Sequence, residues 1–363
     1  MAPSRARPSA CRTWATSRWI CCAKSSAAST PSWRDSNERT KPMTFHVLVP
    51  DNVHQKAIGI LESSAGIRVT APGKLERAAL LKSVADADAL IIRSGVTADA
   101  ELIEKAPQLK AIARAGVGVD NVDLDAATAR AVVVMNTPGG NTISTAEHSI
   151  GLMLALSRHI PQGHQSLAEG RWDRKAFTGV ELKGKTLGIV GLGRIGQAIA
   201  SRAQAFEMSV IAHDPYLPPA IAAALDVPLL ALDEVYARSD YLSLHALVTI
   251  ETRGMINADS IARMKRGARI INAARGALIN SADLAAALGS GQVAGAALDV
   301  YEQEPPPTDH PLIGLPNVVH TPHLAASTSD AQVTVAVEAA QLVVDYLLEG
   351  VAANVCNPAV LES

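Results

Sequence analysis

Three residues in the C-terminal half have the types needed to move a proton beside a hydride. His323 sits in TPHLAAST after an apolar run, Glu304 in YEQEPPP, and Arg275 in NAARGALI. A hydroxyl that loses a hydride from its carbon must also surrender its proton, and an imidazole with a pKa near neutrality can take it or return it. A carboxylate such as Glu304, on a backbone restricted by the prolines that follow it, would orient that ring and favour its protonated form. An α-carboxylate beside a carbonyl calls for a planar fork of donors, which arginine supplies and lysine does not. Taken singly, each has a plainer reading: a satisfied loop histidine, a solvated loop acid, an arginine lying along the surface. Together they ask for a hydride carrier.

The carrier's signature is Gly191-Leu192-Gly193-Arg194-Ile195-Gly196, placed directly after the strand-like TLGIV and directly before the helical pattern IGQAIASRAQAF. The first glycine permits the tight turn, Gly193 lets backbone approach a pyrophosphate, and Gly196 allows close helix packing with the helix N-terminus toward the phosphates. Asp214 follows 18 residues after Gly196, at the end of VIAHD, where a carboxylate would accept the adenosine ribose hydroxyls. Pro215 and Tyr216 come next, so no neighbouring base is offered to a 2'-phosphate and NAD is expected rather than NADP. His245, ending YLSLHA near the same crevice, is expected to play a structural or backbone-binding part. His148, His159 and His164 lack metal-ligand spacing and no HExxH occurs, so no catalytic metal is expected.

The elements that must position these residues read as α/β. Short apolar runs separated by helical stretches, rather than alternating strands, indicate parallel sheets covered on both faces. FHVLVP, ALIIRS, LKAIARAG and AVVVMN are strands of a first domain; TLGIVG, MSVIAHD, YLSLHA, ARIINAA, VAGAALDV and VVHTPH are about six strands of a second. Residues 53–61, 75–84, 98–105 and 124–130 read as helices, residues 141–159 as the longest helix and a connector, and 327–349 as a helix that returns to the first domain. The expected fold is two Rossmann-like, doubly wound parallel-sheet domains with an interdomain cleft. Residues 43–140 plus 327–350 would form the substrate-binding lid domain, 141–326 the dinucleotide-binding domain, and 351–363 a C-terminal tail.

Residues 1–42 differ in kind: they hold three of the four Trp, three of the four Cys and eight Lys or Arg against Asp35 and Glu38. They read as a disordered or non-native extension before Met43. Across 363 residues the net charge is -2, with 48% apolar and 19% charged residues. That balance excludes a nucleic-acid footprint and favours a small-molecule partner. No run of 18 apolar residues argues for a membrane span, and the scarcity of cysteine fits a reducing, cytoplasmic setting.

The blocks IARAGVGVDNVDLDAA, NTPGGNTISTAEHSIGLMLAL, GKTLGIVGLGRIG, INAARGALI, AGAALDVYEQEPP and TPHLAAST carry a resemblance over roughly residues 44–350. The chain resembles the D-2-hydroxyacid dehydrogenase family, most closely its D-3-phosphoglycerate dehydrogenase branch. The resemblance implies oxidation of a D-hydroxyl with NAD, catalysed by Arg275, Glu304 and His323. It implies cofactor contacts at Val117, Arg194, Ile195, Asp214, Ala246, Ala273, Ala274, Arg275, Asp299, His323, Ala325 and Ala326. Substrate contacts would fall on Arg93, Ser94, Asn141 and Arg174, and the protein would be a homodimer built across the dinucleotide domains. Two positions depart from the pattern: Ala246-Leu247 where a proline usually follows, and Ala325 where glycine usually permits close backbone approach. Because the chain ends at Ser363, C-terminal regulatory domains are expected to be missing. Charge arithmetic favours a phosphorylated acid: Arg275 satisfies the carboxylate, and Arg93, Arg174 and Lys175 are offered to a second anion. The other readings are a glyoxylate or hydroxypyruvate reductase and, in a different class, an NAD(H)-sensing binding protein resembling a corepressor.

Overall fold

The computed structural model describes residues Thr44–Glu362; the expectation for residues 1–42 lies outside them. Two wholly parallel sheets form the frame. The first contains β1 (Phe45–Leu48), β2 (Ile67–Thr70), β3 (Ala89–Ile92), β4 (Ala111–Arg114) and β5 (Val133–Asn136), in the order β2-β1-β3-β4-β5. The second contains β6 (Thr186–Val190), β7 (Ser209–His213), β8 (Tyr241–Leu244), β9 (Ala268–Asn272), β10 (Val293–Leu298) and β11 (Val318–His320), in the order β11-β10-β9-β8-β6-β7.

Unbroken apolar strands follow from burial on both faces. In β3, Ala89 and Ile91 join a cluster with Val335, Ala339 and Val343 of the helix Ser329–Glu349, while Leu90 and Ile92 point the other way onto Leu80, Leu102 and Ile103. In the second sheet, Ile189, Ile271 and Ala297 meet Met153 and Leu156 of the helix Thr142–Arg158, and Leu242, Ile270 and Leu298 face Leu278, Leu284 and Val235. The helix Ser329–Glu349 has the length and hydropathy of a membrane span, yet its Val335, Ala336, Ala339, Ala340 and Val343 are core residues of the first sheet.

Register places the functional ends side by side. Ile92 pairs with Arg114, Leu244 with Asn272, Asn272 with Leu298, and Leu298 with His320. The residues that follow these strands therefore emerge along one edge of each sheet, the carboxyl edge at which open α/β sheets carry their sites. In each sheet the strand order also reverses once, between β1 and β3 and between β6 and β8.

Four elements differ from the sequence reading. β2, an edge strand with the alternating burial of IRVT, was not expected. The connector ends at His159, whose left-handed φ of 53° turns the chain into a separate helix, Ile160–Ala168. The longest helix is Ser329–Glu349 rather than the connector. Finally, the C-terminal tail, in its described residues 351–362, pairs with the first sheet. Asn136 donates to the Asn354 carbonyl, Cys356 N–H to the Val134 carbonyl, and buried Asn357 takes the Val134 N–H on Oδ1, so the segment satisfies the outer edge of β5.

Candidate active site

The carboxyl edges of both sheets border a cleft of about 1000 Å³. On the second sheet's side, Gly191 ends β6 with φ of 91°, and a Cβ there would lie 2.6 Å from the His245 carbonyl oxygen at the end of β8. Only glycine permits this approach of two turns at the switch in strand order. A Cβ on Gly196 would come within 2.3 Å of the Gly191 carbonyl oxygen, so the helix Arg194–Ala205 starts against the turn itself. Gly193 differs: a Cβ there would meet nothing within 4 Å, leaving its backbone open to the cleft at the helix N-terminus.

Asp214, the residue after β7, is hydrogen-bonded to this turn. Its Oδ2 accepts the Leu192 N–H at 2.9 Å, and its Oδ1 accepts the N–H groups of Tyr216 and Leu217. The carboxylate thus braces the glycine turn, and ribose hydroxyls would share its remaining lone pairs. His245 lines the cleft with its ring enclosed; burial pushes its pKa down to about 3, so the imidazole is neutral, with Nε2 2.7 Å from Ser243 Oγ. Its Nδ1 and the Oδ1 of Asn141 are buried polar atoms without partners, and both residues line the cleft. An open glycine turn, a braced carboxylate and two unpaired polar atoms fit a dinucleotide, with Val117, Arg194, Ile195, Ala246, Ala273, Ala274, Ala325 and Ala326 completing the walls.

The side of the cleft that carries Arg275, Glu304 and His323 is assembled from three loops. After β9, buried Asn272 holds the turn by donating to the Arg275 carbonyl and accepting from the Ala274 N–H, which sets Arg275 at the cleft. Gly276 lies so close to the Tyr301–Glu302 peptide that a Cβ would be 1.9 Å from the Tyr301 carbonyl carbon, and this brings the arginine loop against the glutamate loop. Glu304 is fixed through Oε1, which accepts the Tyr301 N–H at 3.0 Å. Its Oε2 lies 2.6 Å from His323 Nδ1.

His323 itself has a left-handed backbone, φ of 53°, in the loop after β11. Asp299 holds that loop: its carbonyl accepts the His323 N–H, and its fully buried carboxylate accepts Thr321 Oγ1 at 2.5 Å and the N–H groups of Leu324 and Ala325, each at 2.8 Å. His148 Nε2 adds a contact at 3.2 Å. Burial opposes ionisation of Asp299, but the hydrogen bonds from His148, Thr321, Leu324 and Ala325 outweigh it and hold the carboxyl below the usual range. Asp299 therefore positions the histidine loop from beneath, outside the cleft lining. Ala325 lines the cleft but is buried, with its N–H given to Asp299.

Arg275 does not wait free. Nη1 donates to the Ala274 carbonyl at 2.7 Å, and Nε and Nη2 donate to Asp120 Oδ2 at 3.2 and 2.9 Å. Arg93 and Ser94 line the cleft from the first sheet's side, and Arg93 Nη1 donates to the Asn52 carbonyl. Arg174 and Lys175 are exposed and lie outside the cleft lining of this chain. Among the cleft residues not singled out from sequence are the charged Asp120 and Arg114. Asp120 pairs with a residue 155 positions away, which no local pattern records. Arg114, at the end of β4, carried the same signal as Arg93, an arginine closing a parallel strand. Among the described residues no cluster of His, Cys, Asp and Glu is arranged to hold a metal ion.

Residues 150–325 match the family model described as D-isomer specific 2-hydroxyacid dehydrogenase, NAD binding domain. The chain is 47% identical over 299 residues to D-3-phosphoglycerate dehydrogenase of Archaeoglobus fulgidus, covering 82% of this chain and 56% of that protein, so it spans little more than half of that relative's length. Among solved structures, it superposes on a protein of Thermus thermophilus with a TM-score of 0.77 at 39% identity, covering 86% of this chain and 100% of the other. A glyoxylate reductase from Paecilomyes thermophila gives a TM-score of 0.79 at 30% identity, covering 86% and 98%. Identity at this level across both sheets carries more than a shared architecture: the chain belongs to the D-isomer specific 2-hydroxyacid dehydrogenase family.

Proposed function

We propose that the chain catalyses NAD-dependent oxidation of a small D-2-hydroxy acid, and that its substrate is D-3-phosphoglycerate, converted to 3-phosphohydroxypyruvate as the first step toward serine. The observation that carries the reading is the His323–Glu304 pair at 2.6 Å, on the same cleft as Arg275 and the open backbone of Gly193. Bound NAD would supply the hydride acceptor. Glu304 accepts the hydrogen on Nδ1, so Nε2 of His323 is left to take the proton of the substrate hydroxyl, and the carboxylate stabilises the imidazolium that results. Arg275 would grip the substrate carboxylate by the N–H groups not given to Asp120 and Ala274.

The choice of a phosphorylated acid is supported by the arginines of the first sheet's edge and by the D-3-phosphoglycerate dehydrogenases among the relatives. A homodimer is supported by exposed Ile160, Leu167 and Trp172, apolar side chains grouped on the helix Ile160–Ala168 and the segment after it. Arg174 lies in that segment and, as an exposed residue outside this chain's cleft, would reach a substrate only across such an interface.

The test is a panel of D-3-phosphoglycerate, D-glycerate, hydroxypyruvate and glyoxylate, assayed by NADH absorbance on the wild type and on His323→Ala. D-3-phosphoglycerate should be oxidised in preference to D-glycerate. Loss of the base should lower turnover by about 10²–10⁴-fold, while NADH binding measured by fluorescence stays near the wild-type value. Good reduction of hydroxypyruvate with D-3-phosphoglycerate inert would replace this substrate with that of a reductase. NADH binding without turnover of any acid would leave the cofactor-sensing reading.

A further inference from the structure

The pair Glu304–His323 has a second pair behind it with the same spacing along the chain. Tyr301 Oη lies 2.7 Å from Nδ1 of His320, while Glu304 Oε2 lies 2.6 Å from Nδ1 of His323. Tyr301 stands three residues before Glu304, on the segment that leaves β10, and His320 ends β11 three residues before His323. The same two stretches of chain are therefore tied twice.

The two ties differ in what they can hold. The side chains of His323 and Glu304 are 49% and 37% exposed, and an ion pair so open to water fixes little geometry by itself. Tyr301 is buried, its ring edge-on to that of His310 at 5.4 Å between centroids. Burial, and then the charges of Asp299 and Glu304, push the phenol pKa up to about 12, and burial, then His310, press that of His320 below its usual value. The phenol thus stays a donor and the imidazole Nδ1 an acceptor across the neutral range, so this bond keeps one polarity while a proton moves through the exposed pair. That polarity leaves the hydrogen of His320 on Nε2, which is buried without a partner among the described residues. A ring held at such a cost is held for the bond it makes at Nδ1.

The consequence falls on Glu304, because the Tyr301 N–H holds its Oε1 at 3.0 Å. Resting on the reading above, in which His323 is the base and Glu304 its orienting acid, we propose that Tyr301 and His320 are positioning residues for the proton transfer: their buried hydrogen bond sets the separation of the loops that carry Glu304 and His323. Tyr301 lines the cleft, yet its hydroxyl is committed to His320. Without that bond the peptide that aims the carboxylate is anchored at one end less, and the acid drifts relative to the base it orients.

The experiment compares the wild type with Tyr301→Phe, His320→Leu, the double variant, and His320→Asn, whose amide oxygen can stand where Nδ1 stands. Each is assayed with D-3-phosphoglycerate and NAD and, in the reverse direction, with hydroxypyruvate and NADH. In Tyr301→Phe and His320→Leu kcat should fall about tenfold or more, the scale of a misplaced catalytic group. KM for the acid and the Kd for NADH should stay within about twofold of wild type, with an unchanged NADH stoichiometry that shows the protein is folded. The double variant should lose no more than about twofold beyond either single one, since one unit is broken once, and His320→Asn should recover most of the turnover. A kcat that holds while Tm falls would make the pair merely structural; a raised KM with kcat intact in Tyr301→Phe would place the phenol on the substrate; losses that multiply in the double variant would make the two residues independent. Each of these, with His323→Ala inactive, overturns this proposal alone. Normal turnover in His323→Ala, or a wild type that turns over neither acid, overturns the reading of the base, and this inference with it.

Discussion

Two turns of this molecule look alike as strings and use their glycines in opposite ways. GLGRIG, residues 191–196, leaves β6, and AGVGVD, residues 115–120, leaves β4, each at the carboxyl edge of a parallel sheet. In the first, two glycines admit backbone: Gly191 against the His245 carbonyl and Gly196 against the Gly191 carbonyl, with Gly193 facing open space. In the second, both glycines admit arginines: Gly116 lies against Arg114, and a Cβ on Gly118 would be 2.1 Å from Nη2 of Arg275. One turn makes room for a phosphate-bearing ligand at a helix N-terminus. The other makes room for the cations that would grip the ligand's partner. The difference lies in the neighbours of each turn and in the next helix, which opens at Arg194 within the first turn but only at Leu124 after the second.

The largest effect should come from Gly196→Ala. The methyl would collide with the Gly191 carbonyl oxygen, which belongs to the backbone of the turn and cannot swing away as a side-chain tip would, and would press on Ile189 Cγ2. Overpacking of this kind costs about 1–3 kcal/mol, so the variant should melt several degrees lower and bind NADH at least about tenfold more weakly. A variant with wild-type Tm and NADH affinity would mean that the helix can back off without consequence, and the two turns would no longer differ in rigidity.

Gly118→Ala tests the other turn, with a smaller effect because its obstacle is the far end of a flexible side chain. The guanidinium of Arg275 would shift rather than the backbone, and its two bonds to Asp120 would be strained. Loss of one charge-assisted contact, roughly 1.5–3 kcal/mol, corresponds to about a tenfold or greater rise in KM for the hydroxy acid. The Kd for NADH should change by less than about twofold. If NADH binding suffers as much as substrate binding, the second turn belongs to the cofactor too and the contrast fails.

How far this division could be read in advance depends on where the signal resides. β6, the glycine turn and the helix at Arg194 are contiguous, and each demands the next, so the dinucleotide side was legible in order. His323 and Glu304 were legible as a pair because a base needs an orienting acid and the chain offers one on a restricted backbone. Arg114 carried the same signal as Arg93, an arginine closing a parallel strand, but nothing in ARAG records that Asp51 and Asp120 are taken by other donors. β2 was missed because IRVT is four residues of alternating pattern at a sheet edge, none of them fully buried, too short to stand out beside the unbroken apolar runs of the inner strands. The pairing of residues 354–357 with β5 arises from backbone groups and one buried asparagine, Asn357, which have no periodicity to detect.

The smallest effect on the folded protein, and the sharpest on the comparison, is expected of Gly193→Ala. Its φ of -69° suits an alanine, and a Cβ there would touch nothing within 4 Å, so no clash arises in the free protein. The position is the N-cap of the helix Arg194–Ala205, where alanine is less favoured than glycine, and the change should therefore cost no more than about 1 kcal/mol. Space that is empty in the free chain is where a diphosphate would lie against the helix N-terminus, and a methyl standing in it would push the phosphates off their N–H donors. NADH binding should weaken about five- to tenfold, the equivalent of about one charge-assisted hydrogen bond lengthened rather than lost. The three glycine variants then separate cleanly: Gly196→Ala loses fold stability and cofactor, Gly118→Ala loses substrate, and Gly193→Ala loses cofactor alone. Wild-type NADH affinity in Gly193→Ala would show that the diphosphate does not approach this backbone, leaving Gly193 as a helix start with no part in the site.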